Sequence, residues 1–221
     1  ISAFVIAERK SIATMQAKEE MGIVCPHCGR VQKVTRWHLV NLESEPLAKL
    51  RAFKGTLFKV PCEACGKTMQ FQYPCVFLDE THRALLYLCP EDVEQDTQTL
   101  SALPPQEGYK LRLIRTPEEL AEKLQILECG LEDTVIELVK VFYFMQFHAQ
   151  YPQETVERVL FSQQPSPCIR MVCKSGQTYE LPLQQTYYKK VQTQYQERIW
   201  KRCGLGMQCI DAAWASGVLE L

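Results

Sequence analysis

The chain has 221 residues, 46% of them hydrophobic and 10% aromatic, which is enough apolar surface for one large or two small packed domains and too much for a disordered chain. Its 25 Lys and Arg against 26 Asp and Glu leave a formal charge of −1, which excludes a polycationic nucleic-acid binder or an acidic tail as a description of the whole. Eleven cysteines, an odd number with four of them in Cys-x-x-Cys-Gly pairs, argue for a reduced, cytoplasmic setting with metal ligands over a disulfide scaffold.

Residues 1–20 open apolar, but Phe4–Ala7 is too short for a signal peptide or membrane anchor and is followed at once by Glu8, Arg9 and Lys10. They are expected to be an N-terminal extension, with a short helix packed on the body as the alternative. A β-rich module is expected over residues 21–90, with turn-marked strands around Gly22–Val24 and Val31–Trp37 flanking the first cysteine pair. Glu45-Pro46 opens a helix-compatible segment through Phe53, because proline is favoured in a first helical turn. Met69, Phe71 and Tyr73 alternate with Thr68, Gln70 and Gln72, the period of a half-buried strand, and Arg83–Leu88 reads as a buried strand. The polar, acidic, proline-containing run from Pro90 to Gly108 reads as a linker or surface loop, within a connecting segment over residues 91–115.

Residues 116–221 are expected to form a second α+β domain with about three helices and a small antiparallel sheet. Thr116-Pro117-Glu118-Glu119 matches a capping box, Leu120, Leu124 and Leu127 follow at helical spacing, and Gly130 suits the position after the helix end. A core helix is expected from Asp133 to about His148, apolar at Val135, Ile136, Leu138, Val139, Phe142 and Met145. Glu137 and Lys140 interrupt that run, so no segment spans a membrane as a helix. Val156–Phe161, Ile169–Cys173 and Thr178–Leu183 read as strands, the last two joined through Lys174-Ser175-Gly176-Gln177. A last helix, from about Gln184 to Arg202, lines up Tyr187, Val191, Tyr195 and Ile199 at four-residue spacing. The fold class is α+β, with a β-rich metal module first.

The sharpest feature is Cys25-Pro26-His27-Cys28-Gly29 paired with Cys62-Glu63-Ala64-Cys65-Gly66. Each Cys-x-x-Cys turn places two thiolates on one side of a metal, and the following glycine can take the positive φ that turns backbone N–H groups back toward sulfur. Two such knuckles complete a tetrahedral shell of four sulfurs, the donor set zinc prefers, and leave no open position for water, so the zinc is structural. The 33 residues between Cys28 and Cys62 exceed the usual spacing of 15–20, which a helix-bearing insertion explains. A redox role for either pair is disfavoured, since such a pair starts a helix in a βαβ setting.

At these residues VCPHCGR…VPCEACGKTMQFQYPCVFLDETHRALLYLCP resembles the CpXC domain, a bacterial and archaeal module named for its Cys-Pro-x-Cys motif. The resemblance covers about residues 21–90, and TPEELAEKLQILECGLEDTVIELVK is similar to the segment that often follows. The first knuckle matches the motif, while the second has Glu63 where the motif has proline. The resemblance implies four metal-binding cysteines, Cys25, Cys28, Cys62 and Cys65, in a zinc-ribbon-like domain, and carries no activity with it.

Other signals are weaker. Cys75 and Cys89 with His82 outline a second metal group, but isolated cysteines are among the most buried residues, and core packing is the expectation for them and for Cys129, Cys168, Cys173, Cys203 and Cys209. His27 is expected to point to solvent, and His38 and His148 have no acid or nucleophile nearby in sequence. Residues 21–76 carry eight basic and three acidic side chains, against four and seven over 77–115 and ten and thirteen over 116–221. Arg30, Lys33, Arg36, Lys49, Arg51, Lys54, Lys59 and Lys67 therefore surround the quartet with Trp37 and Phe71, a pattern able to hold single-stranded nucleic acid. The last helix, with Tyr187, Tyr188, Lys189, Lys190, Arg198, Trp200, Lys201 and Arg202, is a second such surface, and a solvated face is the preferred reading of both. P-loop, G-x-S-x-G and H-E-x-x-H motifs are absent. The expected function is protein–protein binding or scaffolding, with nucleic-acid binding second and an enzyme with a site between the modules, using His82, His148 or an unpaired cysteine, as the rival class.

Overall fold

The computed structural model describes residues 17–91, 107–204 and 206–220. The chain divides into two compact units, one ending at Leu120 and the other beginning at Ala121. Most of the expected extension and of the polar run from Pro90 to Gly108 lies outside the described residues.

In the first unit β1 (Lys18–Val24) and β2 (Val31–Trp37) form an antiparallel hairpin in register from Lys18↔Trp37 to Val24↔Val31. Residues 18–20, expected in the extension, are therefore strand, and the reason is visible in the alternation of half-buried Glu19, Met21 and Ile23 with exposed Lys18, Glu20, Gly22 and Val24. The interval between the knuckles holds β2, β3 (Leu39–Asn41), α1 (Pro46–Phe53) and β4 (Lys59–Pro61). The expected helix-bearing insertion is present, with Pro46 in the first turn of α1.

β4 pairs antiparallel with β5 (Thr68–Gln70). The expected strand stops at Gln70, and its continuation is tied by single bonds in place of a ladder: Phe71 N–H donates to Phe58 O at 2.8 Å, and Trp37 N–H to the Tyr73 hydroxyl at 3.2 Å. β6 (Cys75–Asp79), β7 (Ala84–Leu88) and β8 (Lys110–Ile114) join β3 in a four-stranded sheet of order β3-β6-β7-β8. Its outer pairs are parallel and its central pair antiparallel. Every residue of β6 and β7 is buried, so both faces are covered and the strands read as apolar runs without alternation, broken only by Asp79 at the end of β6. The connecting segment expected over 91–115 is correspondingly shorter, because residues 110–114 are a strand paired with β7.

The break between units falls within α2 (Pro117–Glu128), whose start is the expected capping box: Glu119 N–H donates to the Thr116 hydroxyl at 3.1 Å. The Glu119 carboxylate reaches back one residue further than in the standard box, accepting from Arg115 N–H at 2.9 Å. At its end Gly130 has φ +65°, with Leu131 N–H bonded to Ile126 O and Gly130 N–H to Leu127 O, the paired closure that a left-handed glycine permits.

In the second unit α3 (Asp133–Gln150) packs over an antiparallel sheet of order β11-β10-β9, made of β9 (Val156–Ser162), β10 (Cys168–Cys173) and β11 (Thr178–Pro182). α3 is buried nearly all round through Val139 and thereafter only at Tyr143 and Phe147, with Met145 exposed, so the core-helix expectation holds for its first half. α4 (Gln185–Arg202) buries Tyr188 and Val191, and the Tyr188 hydroxyl accepts Glu132 N–H at the start of α3. An additional helix, α5 (Ala212–Leu219), brings the second domain to four helices among the described residues, where about three were expected. Asp211 caps it by accepting Trp214 N–H at 2.8 Å. No helix among the described residues is long and apolar enough to cross a membrane.

Among the described residues of the second unit four charged side chains, Glu122, Lys123, Asp133 and Glu137, are buried, with Lys140 partly buried beside them. Lys123 Nζ lies 3.2 Å from Glu137 and 3.5 Å from Asp133, and donates to Ile210 O at 2.7 Å. Lys140 Nζ lies 3.0 Å from Glu122 and 3.1 Å from Glu137, and Phe161 N–H donates to Glu122. Three carboxylates face two ammonium groups, and burial raises the Glu122 pKa against the pull of Lys140. Burial lowers Lys123 and Lys140, but their carboxylate neighbours outweigh it and both are raised above 10.5. A base raised in the folded state stabilises it below its unfolded pKa and loses that contribution as pH climbs through the folded one. The urea midpoint of the second unit should therefore fall as pH climbs beyond about 10, and a variant lacking Glu122 and Lys140 (E122Q/K140M) should show a smaller fall there.

Candidate metal centre

Both knuckles are built alike. β1 delivers Cys25, whose N–H donates to Arg30 O at 2.8 Å while Gly29 N–H donates to Cys25 O at 2.9 Å. β4 delivers Cys62, whose N–H donates to Lys67 O at 2.9 Å while Gly66 N–H donates to Cys62 O at 2.8 Å. Gly29 and Gly66 have φ of +72° and +71°, a conformation that side chains with a Cβ rarely adopt, which is why glycine follows each pair.

One side chain links the two turns. Gln32 on β2 donates through Nε2 to Pro61 O at 3.0 Å and accepts Glu63 N–H on Oε1 at 3.1 Å, so a single amide sets the second knuckle against the first. Sequence reasoning passed over Gln32, which carries no motif; its only signal is its place opposite Ile23 in the hairpin register.

The four sulfurs converge. Cys25 Sγ is 3.8 Å from Cys65 Sγ, Cys28 Sγ is 3.6 Å from Cys62 Sγ, and all four lie within 4.8 Å of one another. These separations are far beyond a disulfide bond. The 3.8 and 3.6 Å separations match the edge of about 3.8 Å that a tetrahedron has when its centre is about 2.3 Å from each sulfur. Four thiolates at that spacing can hold a metal ion.

Cys25 and Cys62 are 1% and 2% exposed, packed with Met69, Ile23 and Val60, whereas Cys28 and Cys65 face solvent. The Cys65 N–H, helped by that of Ala64 and opposed by desolvation, lowers the Cys62 thiol to about 6. The Arg30 N–H lowers Cys28, but desolvation and the three neighbouring sulfurs outweigh it and push that thiol up to about 11. A divalent ion bound by the quartet would favour the thiolate form of both. Arg30 and Lys67, each placed directly after a Cys-x-x-Cys-Gly, add positive charge at the same point of both turns.

Residues 23–140 match the model of the CpXC protein family. The chain belongs to the CpXC family. The match takes in both knuckles, the four-stranded sheet, α2 and the first half of α3. Comparison with curated proteins and with solved structures finds no match.

Around the CpXC quartet the remaining candidates have other uses. His27 is exposed within its knuckle and is not part of the convergent group. Cys75 and Cys89 are buried, their thiols donating to Val76 O and Pro90 O, and burial pushes the Cys75 thiol far up. His82 Nδ1 lies 2.8 Å from the buried Asp79 carboxylate, which also accepts His82 N–H, so this pair shapes the β6–β7 turn. His38 contacts Glu19 at 3.3 Å, and His148 stacks on Phe144. Cys168 and Cys173 are buried, and Cys129, Cys203 and Cys209 partly so.

Proposed function

We propose that this CpXC protein is a zinc-stabilised binding or scaffolding protein of the cytoplasm, its quartet holding one structural zinc and its surface recognising another protein. The closed four-sulfur shell supports a structural site, because a catalytic zinc keeps a position open. The observation that carries protein recognition is apolar exposure on the first unit. The facing residues Val24 and Val31, at the knuckle end of the β1–β2 hairpin, are 63% and 70% exposed, and Leu47 and Leu50 on α1 are 76% and 48% exposed. Branched apolar side chains displayed at the tip of the cysteine-bearing hairpin and on α1 fit a protein contact.

Nucleic-acid binding ranks second for a specific reason. Arg30, Lys33, Lys54 and Lys67 are exposed, but the aromatic groups that would stack on bases are engaged. Lys18 covers Trp37 at 4.7 Å, Phe71 leans on Tyr73 at 5.0 Å, and the exposed Arg51 spends its guanidinium on the carbonyls of Thr56, Leu57 and Lys59.

A photo-cross-linking amino acid at position 31 or 47, introduced in the native host, tests the reading. A discrete protein adduct that Val24→Glu or Leu50→Glu abolishes is the expected result. Adducts to RNA or DNA alone, or an adduct indifferent to both substitutions, would refute it.

A further inference from the structure

The second unit has an open strand edge beside an aromatic cavity. Along β11, the backbone groups of residues 177, 179, 181 and 183 point to β10, as fixed by Cys173 N–H bonded to Gln177 O and Leu183 N–H bonded to Pro167 O at the two ends of the register. The N–H and C=O groups of Thr178 and Glu180 therefore point away from the sheet, on an edge that pairs with no strand among the described residues. Pro182 has no N–H to offer there, and its carbonyl is taken by the Tyr143 hydroxyl at 3.0 Å, which closes one end of the edge.

Next to this edge, α3 leaves a cavity of about 380 Å³ against Leu181, Tyr143, Phe147 and Tyr187. Three exposed glutamines, Gln146, Gln150 and Gln184, rim it, and no charged residue lines it. Among the described residues no group bonds to the side-chain amides of these glutamines. Each amide is a donor and an acceptor together, the complement of a peptide group.

We infer that β11 takes up an extended, uncharged segment of a protein partner as a fourth strand, with alternate side chains of that segment seated in the cavity beside α3. The unpaired backbone of Thr178 and Glu180 supplies the ladder, and the aromatic cavity selects apolar or aromatic residues at every second position. The absence of lining charge makes a charged residue at those positions costly to desolvate. The inference rests on the protein-recognition reading and adds the place and the chemistry of one partner segment.

The test pans the full, metal-loaded chain against a phage-displayed library of random nine-residue peptides, then titrates synthetic copies of the enriched sequences. Enriched peptides should carry apolar or aromatic residues at alternate positions and slow the amide exchange of Thr178 and Glu180. Thr178→Pro, which deletes an outward N–H at an exposed site without touching a bond to β10, and Gln146→Ala at an exposed site should each weaken binding about tenfold with unchanged melting. Peptides that bind equally well to both variants would overturn the groove while leaving protein recognition itself standing. No enrichment would also overturn it, and the cross-linking experiment then judges the broader reading separately. A chain already dimeric through slow-exchanging Thr178 and Glu180 would assign the edge to a second copy and reject a foreign segment.

Discussion

Stripping the metal with a strong chelator is expected to dissolve the two hairpins that carry the cysteines while the α3 core keeps its protection. β1–β2 and β4–β5 are two-stranded, and such hairpins are marginal in water on their own. The apolar cluster beneath the quartet is small, comprising Cys25, Cys62 and Met69 with Ile23 and Val60 packed on it. A structural zinc site contributes an apparent binding energy of about 10–16 kcal/mol, comparable with the whole stability of a typical domain. Hydrogen exchange should show the β1 and β2 amides opening after chelation and closing again when zinc is restored. Cys25→Ser or Cys62→Ser should reproduce the opening without a chelator, since each removes a buried thiol of the quartet. Unchanged protection of the hairpins in metal-free protein would show that the quartet does not hold the module together.

The second large effect is expected at Lys123. Lys123→Met leaves Asp133 and Glu137 buried with one cation fewer, Lys140, to balance three carboxylates. Removing one partner of a buried ion group costs about 3–5 kcal/mol, because the desolvated charge left behind has no compensation. Urea denaturation should register that loss in the second unit. E122Q/K140M removes an acid and a base together and should cost less than Lys140→Met alone. A loss below about 1 kcal/mol for Lys123→Met would mean that water reaches the group and solvates it.

Much of this was readable from local pattern. The knuckles, α1 and the capping box of α2 rest on contacts between residues a few positions apart, and each formed where the spacing placed it. The Cys-x-x-Cys-Gly turns even agree in their hydrogen bonds, because a positive-φ glycine leaves the chain few other ways to close. What escaped depends on distant partners. β8 shows strand alternation, Leu111 and Leu113 between Lys110 and Arg112, but its polar surroundings made it look like connecting chain until β7 was there to pair with it. α5 is short and contains Gly217, so its cap at Asp211 was the sole cue. Glu122 and Lys123 look like the solvated side of an amphipathic helix, and only the packing of β9 and the Ile210 loop turns that side inward. Gln32 is an ordinary strand residue until the second knuckle lies beside it.

X-ray absorption at the zinc edge, together with elemental analysis of freshly purified chain, bears most directly on the centre. The result predicted is one zinc per chain with four sulfur neighbours at about 2.3 Å and no oxygen in the first shell. Protein that folds with intact hairpins but carries no metal, or a zinc shell containing water, would contradict the account.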